Sequence, residues 1–253
     1  MAIGIHHSED MNKLLIPPTR FTNRVDDFGF EFLAFENRKL AAGETFRAET
    51  GSRELGIVLL GGVCSVSSSA GSFPSFGKRP NVFAGLPYTL YLPISTEFEL
   101  RGETACDIAF CYCRAEERHP AKLIPPEQVT VEIRGGGNAT RQINHMIRPS
   151  FAAHRLLVCE VFTPGGSWSS YPPHKHDVHN PPGEVDLEEI YYYRIDRPEG
   201  FAIQRVYTSN RCAAKLGRIM WLIWRVALPP PRISTVTSSG GTSFAGCRSS
   251  ARQ

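Results

Sequence analysis

Long apolar runs and strong charge of one sign are missing from this sequence of 253 residues. No stretch approaches the ~18 apolar residues that a membrane-spanning helix requires. The first residues, MAIGIHHSEDMNKLL, lack the positively charged start and apolar stretch of a secretion signal, so we expect a cytoplasmic protein. With 28 Lys and Arg against 25 Asp and Glu, the net charge of +3 gives no reason to expect nucleic acid as a partner.

Paired cysteines with the spacing of a zinc site are missing too. The seven cysteines are an odd number, and Cys111 and Cys113 lie inside the apolar run IAFCYCRA. A C-x-C pair could bind a metal, but no second pair lies nearby. We interpret the cysteines as small apolar residues of strand interiors in a reducing compartment.

A strong helical period is absent from residues 29–114, where short apolar segments are separated by Gly, Pro, Ser and Asn. In TEFELRG, Phe98 and Leu100 alternate with charged residues, as in a half-buried strand. Several such segments predict an all-β sandwich or barrel. A second unit with the same pattern follows the Pro-rich segment RAEERHPAKLIPPEQ, which we interpret as a linker. We therefore predict two β domains, residues 1–120 and residues 121–208.

The segment YPPHKHD contains two histidines one residue apart, His174 and His176. On a strand, side chains at i and i+2 point to the same face. Glu189 begins a later apolar segment, EIYYYRI, and two imidazoles with one carboxylate leave open positions on a divalent ion for substrate or water. A polar loop without metal is the alternative, since His179 lies in the same segment.

The pattern His-x-His followed by a Glu that opens an apolar strand resembles the first metal motif of the cupins. More narrowly, VEIRGGGNATRQINH, TPGGSWSSYPPHKHD and LEEIYYYRIDRPEGFAIQRVYT resemble the 5-deoxy-glucuronate isomerase family, bicupin enzymes of bacterial myo-inositol catabolism. The resemblance covers roughly residues 25–208. It implies a fold of two consecutive jelly-roll barrels, the second incomplete. It also implies His174, His176 and Glu189 as three of four metal ligands, the fourth being a later histidine.

The first unit resembles a cupin without metal. GETFRAETGSRELGIVLLGG has the outline of the first cupin motif, with Glu54 and Gly61 at the expected spacing. Glu49 and Gly51 fall where the two histidines would be, and Phe98 falls in the histidine position of the second motif. Because imidazoles are missing, we expect this unit to be structural.

The resemblance implies interconversion of 5-deoxy-glucuronate and 2-deoxy-5-keto-gluconate, an aldose–ketose isomerisation assisted by zinc, manganese or iron. We expect Tyr191, Gln204 and Arg205 to contact the sugar acid, since the arginine fork suits a carboxylate. Arg134, Asn138 and Arg141 of the RGGGNATRQ turn are further substrate candidates or plain turn residues. The catalytic base is not identified, and a homo-oligomer is an open expectation. Another metal-dependent cupin (a uronate isomerase or an oxygenase) and a non-catalytic sugar-acid-binding bicupin remain alternatives.

The sequence changes character after Thr208. Residues 209–253 contain no Asp or Glu and show no β alternation, and no histidine follows His179, so the fourth ligand is missing. We predict an aberrant basic tail. This tail either has a divergent sequence or is translated out of frame. Translation out of frame is suggested because codons for Leu228-Pro229, when read one base later, can encode Tyr-His. We therefore expect unpaired strand edges, poor stability, weak metal binding and weak or no activity. Sequencing the gene separates the two origins.

Overall fold

The computed structural model describes residues 30–176 and 178–207, and the backbone of four further strands. Side chains are described for residues 30–176 and 178–203. No helix in these ranges is long and apolar enough to cross a membrane. The strands are β1 (Ala2–Ile5), β2 (Leu15–Ile16), β3 (Leu33–Leu40), β4 (Thr45–Glu49), β5 (Arg53–Gly61), β6 (Cys64–Ser68), β7 (Gly71–Phe76), β8 (Thr89–Leu92), β9 (Glu97–Gly102), β10 (Cys106–Arg114), β11 (Lys122–Ile124), β12 (Thr130–Arg134), β13 (Arg141–Ile147), β14 (Leu156–Phe162), β15 (Leu187–Tyr192), β16 (Ala202–Tyr207), β17 (Cys212–Gly217) and β18 (Trp221–Ala227).

The first barrel consists of two antiparallel sheets that face each other. One has the order β11-β8-β5-β10-β3 and the other β4-β9-β6-β7. Along β5, the side chains of Leu55, Ile57 and Leu59 enter the core between these sheets, together with Phe98 and Phe110 from β9 and β10. On β9, buried Phe98 and Leu100 alternate with charged residues, as the period-2 pattern of the sequence predicts.

The second unit is built on a sheet with the order β12-β13-β14-β18-β15-β1-β2, beside a β16-β17 hairpin. The all-β prediction is therefore confirmed. β1 pairs with β15, so residues near the N-terminus complete the second sheet rather than the first. The domain limits at residues 120 and 208 stay predictions.

The outer face of the five-stranded sheet packs against the second sheet. Val58 and Leu60, which alternate with the barrel residues of β5, join Val158, Ile190 and Tyr192 in one buried apolar cluster. The sheets approach closely at Gly56, where an added Cβ would lie 3.3 Å from the Ile147 Cδ1 atom and 3.4 Å from side-chain atoms of β14. Glycine permits this close approach, because a larger residue would require the neighbouring side chains to shift by a few tenths of an ångström.

Two buried glutamates join the units reciprocally. Glu54 on β5 accepts the backbone N–H groups of residues 154–156 at 2.6–2.8 Å, where β14 begins. Glu188 on β15 accepts the N–H groups of residues 31–33 at 2.7–3.0 Å, where β3 begins. Each carboxylate thus satisfies backbone donors of the opposite unit that would otherwise be buried without acceptors.

An ion pair also crosses between the units. The Arg79 guanidinium donates to both carboxylate oxygens of Glu160, at 3.0 and 2.7 Å, and both side chains are almost wholly buried. Arg79 also donates to the carbonyl oxygens of Leu59 and Gly85, while the Asn144 amide donates to Glu160. The pair is thus hydrogen-bonded on most sides, which buried charges require.

One prediction about a connecting segment is wrong. The segment interpreted as a linker contains β11, whose backbone pairs with the edge of β8, so it belongs to the first sheet. In the segment predicted to be an aberrant basic tail, β17 pairs with β16, and β18 lies between β14 and β15. A strand between two others needs no alternating pattern, because both its faces can be covered. The rest of residues 209–253 lies outside the described residues.

Candidate metal centre

His174, His176 and Glu189 come together in the second unit. One potential ligand atom from each residue lies within 4.8 Å of the others. The histidines are on an irregular segment rather than the strand that the sequence suggested. This segment runs beside β15, since the Leu187 N–H donates to the His176 carbonyl oxygen at 3.0 Å. The two imidazole rings lie 4.9 Å apart between centroids, so both can reach one ion.

Glu189 is the buried member of the triad. Only 3 % of it is exposed, and the Tyr191 hydroxyl donates to its Oε2 atom at 2.6 Å. The Tyr193 ring stacks on that of Tyr191 at 5.9 Å. Side chains alternate along this strand, because Ile190 and Tyr192 pack against the first barrel on its other face. Burial beside Glu189 raises the pKa of the Tyr193 phenol, which therefore stays neutral.

The donor set fits a divalent metal ion. Imidazole nitrogens and a carboxylate oxygen are ligands that zinc, manganese and iron accept. A carboxylate held by a buried hydroxyl is the usual support of a metal ligand. The described side chains thus form a possible three-residue metal site, and they do not distinguish among these metals.

The predicted substrate residues have different positions. Tyr191 lies beside Glu189, where it orients the carboxylate. Gln204 and Arg205 lie on β16, opposite Lys215 and Ala214 in register, but their side chains are outside the described residues. Their contact with a substrate therefore stays a prediction.

The RGGGNATRQ turn is connected to the loop that carries the histidines. The Trp168 N–H donates to the Asn138 carbonyl oxygen at 2.7 Å. Arg134 forms a bidentate pair with Glu132, and Arg141 donates to the Ala139 carbonyl oxygen at 3.1 Å. Among the side chains of residues 30–176 and 178–203, Arg141 forms no ion pair, and burial together with the neighbouring Arg134 lowers its pKa.

The described ligand positions of the first barrel carry different residues from those predicted. The Arg53 N–H group donates to the Thr50 carbonyl oxygen, and in the second unit the Leu187 N–H group donates to the His176 carbonyl oxygen. By this match, Thr50 corresponds to His176, and Ala48, two residues earlier, corresponds to His174. Glu54 corresponds to Glu188, because both accept backbone donors of the opposite unit. Leu55 therefore corresponds to Glu189, and the predicted register of the first motif was wrong by one residue.

The correction has a clear structural basis. Glu49 is exposed, whereas Ala48 packs against the barrel core. Alanine and leucine offer no ligand atom, and the Thr50 hydroxyl is occupied by the Pro93 carbonyl oxygen and the Thr96 N–H. These residue identities favour a structural role for the first barrel.

Sequence reasoning missed a charged cluster on β12 and β13. Glu132 contacts both Arg134 and His145, the latter through Nε2 and Oε2 at 3.1 Å. The signal was present as alternation, since Val131 and Ile133 are apolar and Thr130, Glu132 and Arg134 are polar. It was overlooked because the adjacent glycine-rich turn dominated the interpretation.

Comparison with known proteins identifies the family to which this chain belongs. A sequence model of the KduI/IolB family matches residues 18–220. The chain belongs to the KduI/IolB family. Two relatives, both named 5-deoxy-glucuronate isomerase, are from Geobacillus kaustophilus and Bacillus subtilis. The first is 43 % identical over 209 residues, covering 79 % of this chain and 76 % of the relative. The second is 37 % identical over 182 residues, covering 71 % and 67 %.

A crystal structure in the same family supports the fold. An IolB-like protein from Salmonella typhimurium LT2 superimposes with a TM-score of 0.75 at 33 % identity, covering 81 % of this chain and 86 % of that one. The resemblance found in the sequence and the all-β fold class are therefore confirmed. The family match ends at residue 220, within the segment where the sequence loses its acidic residues.

Proposed function

We propose that this chain is a 5-deoxy-glucuronate isomerase whose second barrel holds a divalent metal ion through His174, His176 and Glu189. The observation that carries the proposal is the convergence of these three ligand atoms within 4.8 Å. The relatives that bear this enzyme's name match over more than two thirds of both chains. The substrate is then a small sugar acid.

The reaction moves a hydrogen between adjacent carbons of an aldose and a ketose through an enediolate. A divalent ion held by His174, His176 and Glu189 would supply Lewis-acid chemistry for this reaction. The Tyr191 hydroxyl donates to the Oε2 atom of Glu189, which holds the carboxylate in one orientation. The Tyr191 ring, which stacks on that of Tyr193, lies beside the buried Glu189 carboxylate.

The metal site of this chain has three protein ligands, whereas the resemblance implies four for the family. No histidine follows His179 in the sequence. We expect weaker metal binding than a four-ligand site gives, and correspondingly low turnover at limiting metal. Added metal should raise the activity until the site is saturated.

Metal content and turnover test the proposal together. The wild type is loaded with Zn²⁺, Mn²⁺ or Fe²⁺, dialysed and analysed by mass spectrometry for bound metal. It is then assayed with 5-deoxy-glucuronate. We expect one metal per chain and isomerisation in the wild type, and neither in the His174→Ala, His176→Ala variant. His179→Ala is the matched control, since His179 is exposed on the same segment. Equal metal in all three proteins would refute the site.

A substrate panel separates the alternatives. Turnover of other uronates in place of 5-deoxy-glucuronate, or consumption of oxygen, would indicate another metal-dependent cupin. Tight binding of sugar acids without any turnover would indicate a binding protein. Either outcome contradicts the isomerase assignment while leaving the metal site intact.

We also propose a cytoplasmic location. The described cysteines of the chain are free and buried, which suits a reducing compartment: Cys64, Cys106, Cys111, Cys113 and Cys159. The expected homo-oligomer stays a prediction that light scattering on the purified protein tests.

A further inference from the structure

β12 is an edge strand whose apolar side chains face solvent. Among the described strands only β13 pairs with β12, which ends the seven-stranded sheet. Val131 and Ile133 are 45 % and 64 % exposed, whereas Glu132 and Arg134 are half-buried. A strand with one face in water normally has its apolar side chains inside and its charges outside. The inverted pattern of β12 indicates that another surface covers its apolar side chains.

A loop of the first barrel extends this apolar surface. Val131 lies opposite Asn144, whose amide donates to Glu160, and opposite residues of paired strands share a face. Arg79 binds the same Glu160 carboxylate and also holds the loop that carries Phe83, through two carbonyl oxygens of that loop. Phe83 is 42 % exposed. Its loop therefore lies on the same side of the sheet as the exposed residues of β12.

The charges of β12 are complementary to those of a second copy of the same strand. When two copies pair antiparallel about a two-fold axis at Ile133, Glu132 lies opposite the partner's Arg134, and Arg134 lies opposite the partner's Glu132. Cβ atoms of opposite residues are about 4.5–5.5 Å apart, so the unlike charges attract each other. The same axis brings Ile133 beside the partner's Ile133 on the other face.

Neighbouring registers lack this complementarity. An axis at Glu132 puts its carboxylate opposite the partner's Glu132, and like charges directly opposite each other destabilise a strand pair. An axis at Val131 puts Arg134 opposite the uncharged Gln128 of the partner subunit. The order of charges along β12 therefore favours the register with the axis at Ile133.

We propose that two copies of this chain associate through β12, which pairs antiparallel with the partner's β12 about a two-fold axis at Ile133. The two seven-stranded sheets then form one continuous sheet. This inference does not depend on the proposed function. It assigns a surface and a register to the homo-oligomer that the sequence left open.

Glu132 has room for the contact across the axis. Its carboxylate accepts two hydrogen bonds from Arg134, both at 2.8 Å, and its Oε2 atom lies 3.1 Å from the His145 Nε2 atom. A carboxylate has about four acceptor positions, and these contacts occupy three of them. The partner's Arg134 donates to the fourth, which joins the charges of both strands in one alternating network.

The pairing is expected to have moderate affinity. β12 has five residues, so the strand pair and its flanking side chains belong to the small class of interfaces, below about 1,200 Å² of buried surface. Interfaces of this class are weak, and we expect a dimer dissociation constant of about 1–10 μM.

Sedimentation velocity of the full chain from about 1 to 100 μM measures this constant. In Ile133→Asp, two carboxylates face each other across the axis, so the dissociation constant should rise at least about 100-fold. The matched control is Ile203→Asp, because Ile203 is 59 % exposed but lies on β16 of another sheet. This control should dimerise as the wild type does.

A second experiment tests the register with two charge variants. Glu132→Arg makes both charges of β12 positive, and Arg134→Glu makes both negative, so each variant alone should be monomeric at the concentrations where the wild type is a dimer. An equimolar mixture should form a heterodimer with a dissociation constant within about tenfold of the wild-type value. Effects of either replacement within its own chain cannot produce this recovery on mixing.

Each outcome supports or overturns the proposal. A wild type that is monomeric throughout the concentration range overturns it, as does Ile133→Asp with the wild-type dissociation constant. A mixture of folded charge variants that stays monomeric overturns the register. If circular dichroism shows that any of these variants is unfolded, Ile133→Cys decides. Mild oxidation should then link two chains through position 133, and absence of the linked peptide in mass spectra overturns the proposal.

Discussion

Replacing Glu54 by glutamine should destabilise the protein strongly although the two side chains have the same shape. The carboxylate accepts three backbone N–H groups at 2.6–2.8 Å and the Tyr91 hydroxyl at 2.8 Å. In the best arrangement, the new NH2 group takes the place of Oε2 and donates to Tyr91. The N–H of His154 then loses its acceptor, which costs about 1–3 kcal/mol. Loss of charge from the two remaining bonds brings the total to about 2–4 kcal/mol.

Equilibrium urea unfolding, followed by circular dichroism and tryptophan fluorescence, measures the change. The matched control is Glu97→Gln, since Glu97 is exposed on the same barrel and its replacement should change stability by less than about 0.5 kcal/mol. A domain has about 5–15 kcal/mol of stability, so the Glu54→Gln midpoint should shift clearly. If both variants unfold at the wild-type midpoint, the carboxylate does not stabilise the contact between the units as argued.

Three further outcomes follow from the described contacts. Tyr191→Phe removes the hydrogen bond to Glu189, so the metal dissociation constant should rise about tenfold in a chelator competition; an unchanged constant would contradict the orienting role. Arg79→Met should cost about 3–5 kcal/mol because Glu160 is left buried and unpaired, and adding Glu160→Leu should restore much of it; further loss in the double variant would argue against the ion pair. The pKa of Glu132 in the folded protein lies below its ordinary 4.5, so the ionised carboxylate stabilises the fold fully above pH 4.5. This stabilisation disappears as the pH falls through the folded-state pKa. The unfolding free energies of the wild type and Glu132→Gln should therefore become equal in acid.

The sequence was sufficient for the strands that have one face in a core. Phe98 and Leu100 of β9 alternate with charged residues, and this alternation is visible without coordinates. The sequence shows equally well that Glu189 and Tyr191 lie on one face of their strand and Ile190 and Tyr192 on the other. Both predictions depend only on the two-residue period of a strand.

The register of the first motif and the position of β18 depend on which strands pair in the fold. The local sequence pattern does not contain that information. The register of the first cupin motif was misplaced because Glu54 has the residue type of a ligand but the position of Glu188. Only the bonds to residues 154–156, about 100 positions later, reveal its position. Likewise, β18 lies between two strands because both offer backbone groups, which its own composition does not show.

The reciprocal glutamates also have a consequence during synthesis on the ribosome. Glu54 is made 102 residues before Leu156, whose N–H group it accepts. At typical elongation rates of 5–20 residues per second, the first barrel waits about 5–20 s for these donors. During that time its outer sheet exposes an apolar surface around a carboxylate that has only Tyr91 as a partner. A nascent chain arrested before residue 154 should therefore recruit chaperones, and release should follow once the second sheet has emerged.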